Sequence, residues 1–154
     1  MYGNGLVYVV SGPKGPTLAI KPGGRGDVTD SQVKWSSPRG APFVPSAILV
    51  GDRYYLVDDK GIATCLDAHS GSSIWQKRLP GEYTASPVAA AGKIYFFNEQ
   101  GTATVIDATR PQYEELSRND FGEPVYASPA ISQGQLFLRT ARQLVSIGPA
   151  PQKP

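Results

Sequence analysis

Gly61-Ile62-Ala63-Thr64-Cys65-Leu66-Asp67-Ala68 returns as Gly101-Thr102-Ala103-Thr104-Val105-Ile106-Asp107-Ala108, identical at five of eight positions. Self-similarity at a period of roughly 20–50 residues marks an array of one supersecondary unit. Outward from this block, a β-rich run after a glycine recurs four times. It reads Asn4-Gly5-Leu6-Val7-Tyr8-Val9, Val50-Gly51-Asp52-Arg53-Tyr54-Tyr55, Ala91-Gly92-Lys93-Ile94-Tyr95-Phe96 and Gln133-Gly134-Gln135-Leu136-Phe137-Leu138. Aligned on these glycines, the spacings are 46, 41 and 42 residues. A third block, Ala85-Ser86-Pro87-Val88, returns as Ala127-Ser128-Pro129-Ala130, with a weaker first copy at Val44-Pro45-Ser46-Ala47. The first repeat is the longest, and its surplus falls at the glycine-rich segment Pro22–Asp30. That segment reads as a loop insertion, because closure entropy grows slowly with loop length.

Each full period holds four short apolar segments separated by turn residues. In the second repeat they are Ser46–Val50, Tyr54–Asp58, Ala63–Asp67 and Ile74–Arg78. In the third they are Pro87–Ala91, Ile94–Asn98, Ala103–Asp107 and Glu115–Asn119. Gly51-Asp52, Asp59-Lys60-Gly61 and Ser70-Gly71 supply the turns, and such short connections join antiparallel neighbours. Val7-Tyr8-Val9-Val10, Tyr54-Tyr55-Leu56-Val57 and Ile94-Tyr95-Phe96-Phe97 are apolar at every position. A β-sandwich strand with one wet face alternates instead; a continuous run is buried on both faces. Four antiparallel strands per period, each sheet wedged between two others, is the arithmetic of a β-propeller.

The fold class expected is therefore all-β: a propeller arc of about four blades, part of a seven- or eight-bladed ring. The blades span about 3–43, 44–84, 85–125 and 126–148, followed by a Pro-rich tail at 149–154. Two full four-stranded blades are expected between two partial ones. The first would contribute Leu6–Ser11, Thr17–Lys21 and Val33–Ser37; the last would contribute Ala127–Ser132, Gln135–Thr140 and Leu144–Ile147. The only helix candidate, Tyr113–Ser117, falls where the repeat demands an outer strand.

Composition agrees and excludes several function classes. The 154 residues amount to one ordinary domain. They include 17 glycines and 14 prolines, too many helix breakers for a bundle, while a 40% hydrophobic content is enough for a core. With 15 basic against 13 acidic residues spread along the chain, there is no electrostatic footprint for nucleic acid. One cysteine, Cys65, and one histidine, His69, exclude an intrachain disulfide and any multi-cysteine or multi-histidine metal site. No apolar run approaches the roughly 20 residues of a membrane helix, so no membrane insertion is expected. Met1 is followed at once by Tyr2-Gly3-Asn4-Gly5 rather than by a signal-peptide pattern. The chain reads as a cytosolic protein, a mature form or a fragment of a longer propeller.

The segment Cys65-Leu66-Asp67-Ala68-His69-Ser70-Gly71-Ser72-Ser73-Ile74-Trp75 resembles the tryptophan-docking motif of quinoprotein-type propellers. Asp67, Gly71 and Trp75 match that motif, and Ser70 stands for its threonine. Asp67 can accept N–H bonds in the turn, Gly71 permits positive φ, and Trp75 can lay its ring against the next blade. Asp107 keeps the aspartate in the next repeat, with Leu116 at the tryptophan position; Trp35 keeps the tryptophan of the first repeat. Apart from the tail, the chain resembles the PQQ-like β-propeller repeat family. Within that family, Gly122–Ile131 and the Gly26–Asp30 insertion resemble exported repeat proteins of planctomycete-type bacteria, and the outer-membrane assembly lipoprotein is a related propeller. The resemblance implies a periplasmic or cell-envelope location.

The same resemblance raises a quinone-dependent enzyme. Such enzymes use a vicinal cysteine pair against the quinone, calcium ligands and a catalytic aspartate, and one cysteine cannot supply the pair. No catalytic residue, metal or cofactor is therefore expected. Asp58-Asp59 reads as a hairpin turn, His69 as a surface residue, Cys65 as a buried inert thiol, and most of the eight tyrosines as core. The expected function is a non-catalytic interaction scaffold, with Arg25, Asp27 and Arg39 on candidate binding loops. Its expected partner is another protein or a second copy completing the ring. The alternative is part of a quinone- or carbohydrate-binding enzyme or sensor.

Overall fold

The computed structural model describes residues 1–12, 15–38 and 40–149. Four antiparallel sheets follow one another along the chain, each a meander in chain order. The first holds β1 (Tyr2–Gly3), β2 (Leu6–Val10), β3 (Thr17–Ile20) and, after the single helical turn α1 (Thr29–Gln32), β4 (Val33–Ser37). The second holds β5 (Ile48–Val50), β6 (Arg53–Val57), β7 (Ile62–Asp67) and β8 (Ser73–Arg78). The third holds β9 (Val88–Ala90), β10 (Lys93–Phe97), β11 (Thr102–Asp107) and β12 (Glu115–Asp120). The fourth holds β13 (Ala130–Ser132), β14 (Gln135–Arg139) and β15 (Leu144–Ile147), and no fourth strand among the described residues.

The hairpins follow from backbone chirality. Asn4-Gly5, Ala91-Gly92 and Gln133-Gly134 take φ 51/73, 49/72 and 50/75. Two left-handed residues in a two-residue loop make the turn whose twist matches the flanking strands. In the second sheet Val50 pairs with Arg53, so Gly51 (φ 57) holds the first turn position and Asp52 the second. Alignment on Gly51 is thus one residue out: Asp52 is the counterpart of Gly5, Gly92 and Gly134.

Packing is radial. Tyr8, Ala19 and Trp35 of the first sheet meet Tyr54, Leu56 and Leu66 of the second. On the opposite face of that second sheet, Tyr55, Val57 and Cys65 meet Ile94, Phe96 and Ile106 of the third. The far face of the third sheet, Phe97 and Ala103, meets Leu136 and Leu138 of the fourth. The inner sheets are therefore buried on both faces, as blades are, and continuous apolar strands are the sequence trace of that burial. The repeated Ala-Ser-Pro block supplies a second link between blades. Ser46 N–H donates to Ser86 Oγ (2.8 Å), and Ser86 N–H donates to Ser128 Oγ (2.9 Å).

Two expectations are corrected. The first blade is complete, not partial, so three four-stranded sheets precede one three-stranded sheet. The extra strand β1 is only two residues long, too short to read as a pattern. It is held because the Met1 amino group donates to Tyr8 O (3.1 Å) and Tyr8 N–H to Met1 O (2.8 Å). The insertion ends in α1, where Gln32 N–H donates to Val28 O (2.9 Å), a helical turn the sequence did not suggest. Tyr113–Ser117 runs into and forms the start of β12, the outer strand the repeat required. Arg39 and the tail from Ala150 lie outside the described residues.

Candidate functional site

The site suggested by sequence lies where one blade docks on the next. It begins with the outer strands. Ala19 pairs with Trp35, Cys65 with Trp75 and Val105 with Ser117. In each case a bulge skips the preceding residue, Lys34, Ile74 or Leu116, and it sets Trp35 and Trp75 against the neighbouring blade, while Ser117 holds the same register position. Leu116 is therefore the bulged residue, and Ser117, not Leu116, stands in the tryptophan place of the third blade.

The turn after β7 is built around Asp67. Its Oδ1 accepts His69 N–H (3.1 Å), Ser70 N–H (2.8 Å) and the Ser70 hydroxyl (2.8 Å). The Ser70 hydroxyl, then its N–H, hold the Asp67 carboxyl below the ordinary carboxylate range. This turn receives the tryptophan of the preceding blade. Trp35 Nε1–H donates to Ala68 O at 2.9 Å, and Tyr8 Oη–H donates to the same carbonyl at 3.1 Å. Gly71 (φ 72) lies flat against the indole; a Cβ there would fall 2.6 Å from two ring carbons. Asp67, Ser70, Gly71 and Trp35 are thus brought together, with Trp35 only 8% exposed.

Trp75 belongs to the next contact. Its ring lies 5.3 Å from that of Tyr113, edge-on, and 5.9 Å from that of Tyr55. Ala108 O, the counterpart of Ala68 O, accepts Arg53 Nη1–H (3.0 Å) and Tyr55 Oη–H (3.4 Å). Asp107 Oδ1 accepts Thr109 N–H (2.7 Å) and the Thr109 hydroxyl (2.6 Å), and that hydroxyl is the first cause of its lowered pKa.

The other candidates are occupied locally. Arg25 and Asp27 are exposed, and among the described residues no ion pair joins them. Asp27 accepts Thr29 N–H (3.0 Å) within its own loop, and that N–H lowers its pKa. Asp58 accepts Lys60 and Ile62 N–H (3.0 and 2.8 Å), while Asp59 accepts Phe43 and Val44 N–H (2.7 and 3.1 Å). His69 Nε2 lies 3.1 Å from Asp52 Oδ1 on the surface. Burial pushes the Cys65 thiol up to about 11. A PQQ and calcium site of the quinoprotein kind does not fit these residues. The one cysteine is sealed in the core, and among the described residues no group of three or more His, Cys, Asp or Glu side chains is placed to hold a metal. No helix among them is long and apolar enough to cross a membrane.

Two cavities went unseen in the sequence. One of about 600 Å3 lies by Tyr8, Phe43 and Tyr54, between the first and second sheets. Another of about 590 Å3 lies between the third and fourth sheets, lined by Tyr95, Phe97, Val105 and Leu136. Cavities form from side chains of different strands, so no local pattern announces them.

Residues 3–112 match the family model described as outer membrane protein assembly factor BamB. Among curated proteins none matches the sequence. Among solved structures, BamB from Moraxella catarrhalis superposes with a TM-score of 0.71 at 13% identity, covering 95% of this chain and 40% of that one. A quinohemoprotein alcohol dehydrogenase from Pseudomonas putida HK5 gives 0.68 at 16% identity, covering 90% and 27%. The computationally designed Ika8 protein gives 0.71 at 12% identity, covering 96% and 44%. The chain thus spans less than half the length of each.

Proposed function

The chain belongs to the PQQ-like β-propeller repeat family described by BamB, and on that premise we propose that it works by protein contact rather than by catalysis. It serves as a segment of a larger ring. The observation that carries this is the fourth sheet. Among the described residues it has three strands where the others have four, and no strand among them pairs with the outer edge of β15. Beside that edge Leu144 is 71% exposed, with Tyr126 also open to solvent. An open strand edge bordered by apolar side chains is a template for association. The occupant is another protein or a second copy meeting it head-to-tail, the kind of contact that closes a ring. The exposed loop bearing Arg25 and Asp27 adds polar contacts. The family's name supports a place in the cell envelope.

Light scattering on the purified chain tests this reading. The expected result is a species of twice 16.4 kDa that the variant L144K returns to monomer. A monomer for the unmodified chain at high concentration would remove ring completion by a second copy. Likeness to the alcohol dehydrogenase keeps a quinone-binding reading as the competitor. Added PQQ and calcium are expected to leave the visible spectrum unshifted and to give no dye-linked dehydrogenase activity; a shift with activity would overturn the scaffold reading.

A further inference from the structure

We propose that the cavity between the third and fourth sheets binds a small, planar aromatic molecule of the indole class. The inference rests on register. In the first blade Tyr8 pairs with Ala19, and Ala19 with Trp35. In the third blade Tyr95 pairs with Val105, and Val105 with Ser117. Across the interface Tyr54 pairs with Leu66 in the second blade, and Leu136 with Ile147 in the fourth. Tyr95, Val105, Leu136 and Ile147, all lining the cavity, are therefore the counterparts of Tyr8, Ala19, Tyr54 and Leu66. At the first interface those four surround an indole. Trp35 lies 6.0 Å from the Tyr8 ring and 6.5 Å from the Tyr54 ring.

At the third interface the same chamber has no such side chain of its own, because Ser117 replaces the tryptophan. The volume, about 590 Å3, lies within the roughly 300–1,000 Å3 typical of ligand sites. Phe97 and Phe121, with ring centroids 6.0 Å apart, extend the aromatic wall. Its polar part supplies acceptors. Asn119 and Asp120 line the cavity, and the Asn119 Nδ2–H donates to Ser117 Oγ (3.3 Å), so its amide oxygen is not used in that bond. The Asp120 carboxylate, which accepts Gly122 N–H at 2.9 Å, disfavours anions. Apolar planar walls with acceptors select a neutral ring carrying an N–H donor.

Titrating the full chain with indole, read by amide chemical shifts, tests the proposal whatever the oligomeric state. The expected result is saturable change at Tyr95, Val105, Leu136 and Ile147, with a millimolar or tighter Kd. S117W, which supplies the indole covalently, weakens binding at least tenfold, while S117A retains it. Nuclear Overhauser contacts from indole protons to Tyr95 and Leu136 in the unmodified chain give a readout that needs no variant. Cyclohexanol, non-planar and without an N–H, binds at least tenfold more weakly. Non-saturable shifts, shifts centred on the cavity by Phe43, or binding unchanged in a folded S117W would overturn the proposal.

Discussion

The first and third interfaces share one backbone plan and differ in what fills it. Between the first and second blades Trp35, Tyr8 and Tyr54 interlock, and two donors converge on Ala68 O. Between the third and fourth blades the matching registers enclose a cavity, and the outer strand carries a serine in the tryptophan place. Blade geometry is therefore set by strand pairing and turn chirality, which both interfaces keep. Blade adhesion is set by a few large side chains, which only one interface keeps.

That contrast breaks first at Trp35. W35A deletes the indole from the closed interface and leaves Tyr8 alone on the Ala68 carbonyl. The expected loss is about 3–5 kcal/mol, the range for deleting a large buried aromatic. It reads as a lower urea midpoint at constant slope. A loss below about 1 kcal/mol would mean the indole is not what joins these blades.

Gly71 is next. G71A must hold a left-handed residue and also displace the Trp35 ring. Strain of about 1–2 kcal/mol and an overpacking term of about 1–3 kcal/mol together give about 2–5 kcal/mol. Gly134 is the control at the open interface: its φ is 75, but a Cβ there meets nothing within 4 Å. G134A is expected to cost only the strain, about 1–2 kcal/mol. Equal losses for the two would erase the packing difference. L136A then sharpens it from the open side. Beside an existing cavity the leucine has fewer partners to lose, so the expected loss is about 2 kcal/mol, the low end for leucine truncation.

The fold was legible because its causes are local and repeated. Turn glycines, continuous apolar strands and the Asp67 turn recur at one period, and each copy corroborates the others. The site was legible only in part. Asp67, Ser70 and Gly71 could be read as a turn, but their tryptophan is Trp35 of the preceding blade, not Trp75 within the same motif. A motif read along one chain segment does not say which neighbour it contacts. The Leu116–Ser117 exchange was hidden for a similar reason: a bulge shifts register by one residue, and only the pairing partner reveals it. Strand β1 fell below the length at which any periodicity shows.

The smallest expected effect tests whether the turn or the indole does more at the closed interface. The Asp67 carboxyl is lowered in the folded chain by the Ser70 hydroxyl and N–H. A folded value below the unfolded one means Asp67 adds stability above the ordinary carboxylate range and loses it as pH falls through the folded value. D67N keeps an acceptor but not the charge. At neutral pH its loss is expected to stay below about 1 kcal/mol, because solvent screens a group this open. The gap between the parent chain and D67N should then close as pH drops into and below the carboxylate range. Glu123 gives the matching measurement at the open interface. Its carboxylate accepts the Thr140 hydroxyl (2.6 Å) and Gln143 Nε2–H (3.0 Å), and those bonds lower its pKa in the same order. E123Q should show the same sign and pH window, read from urea midpoints between neutral and acid pH. A D67N gap that widened in acid would show that the Asp67 charge opposes the docked blade, leaving the Trp35 indole and the Ala68 carbonyl to hold that interface.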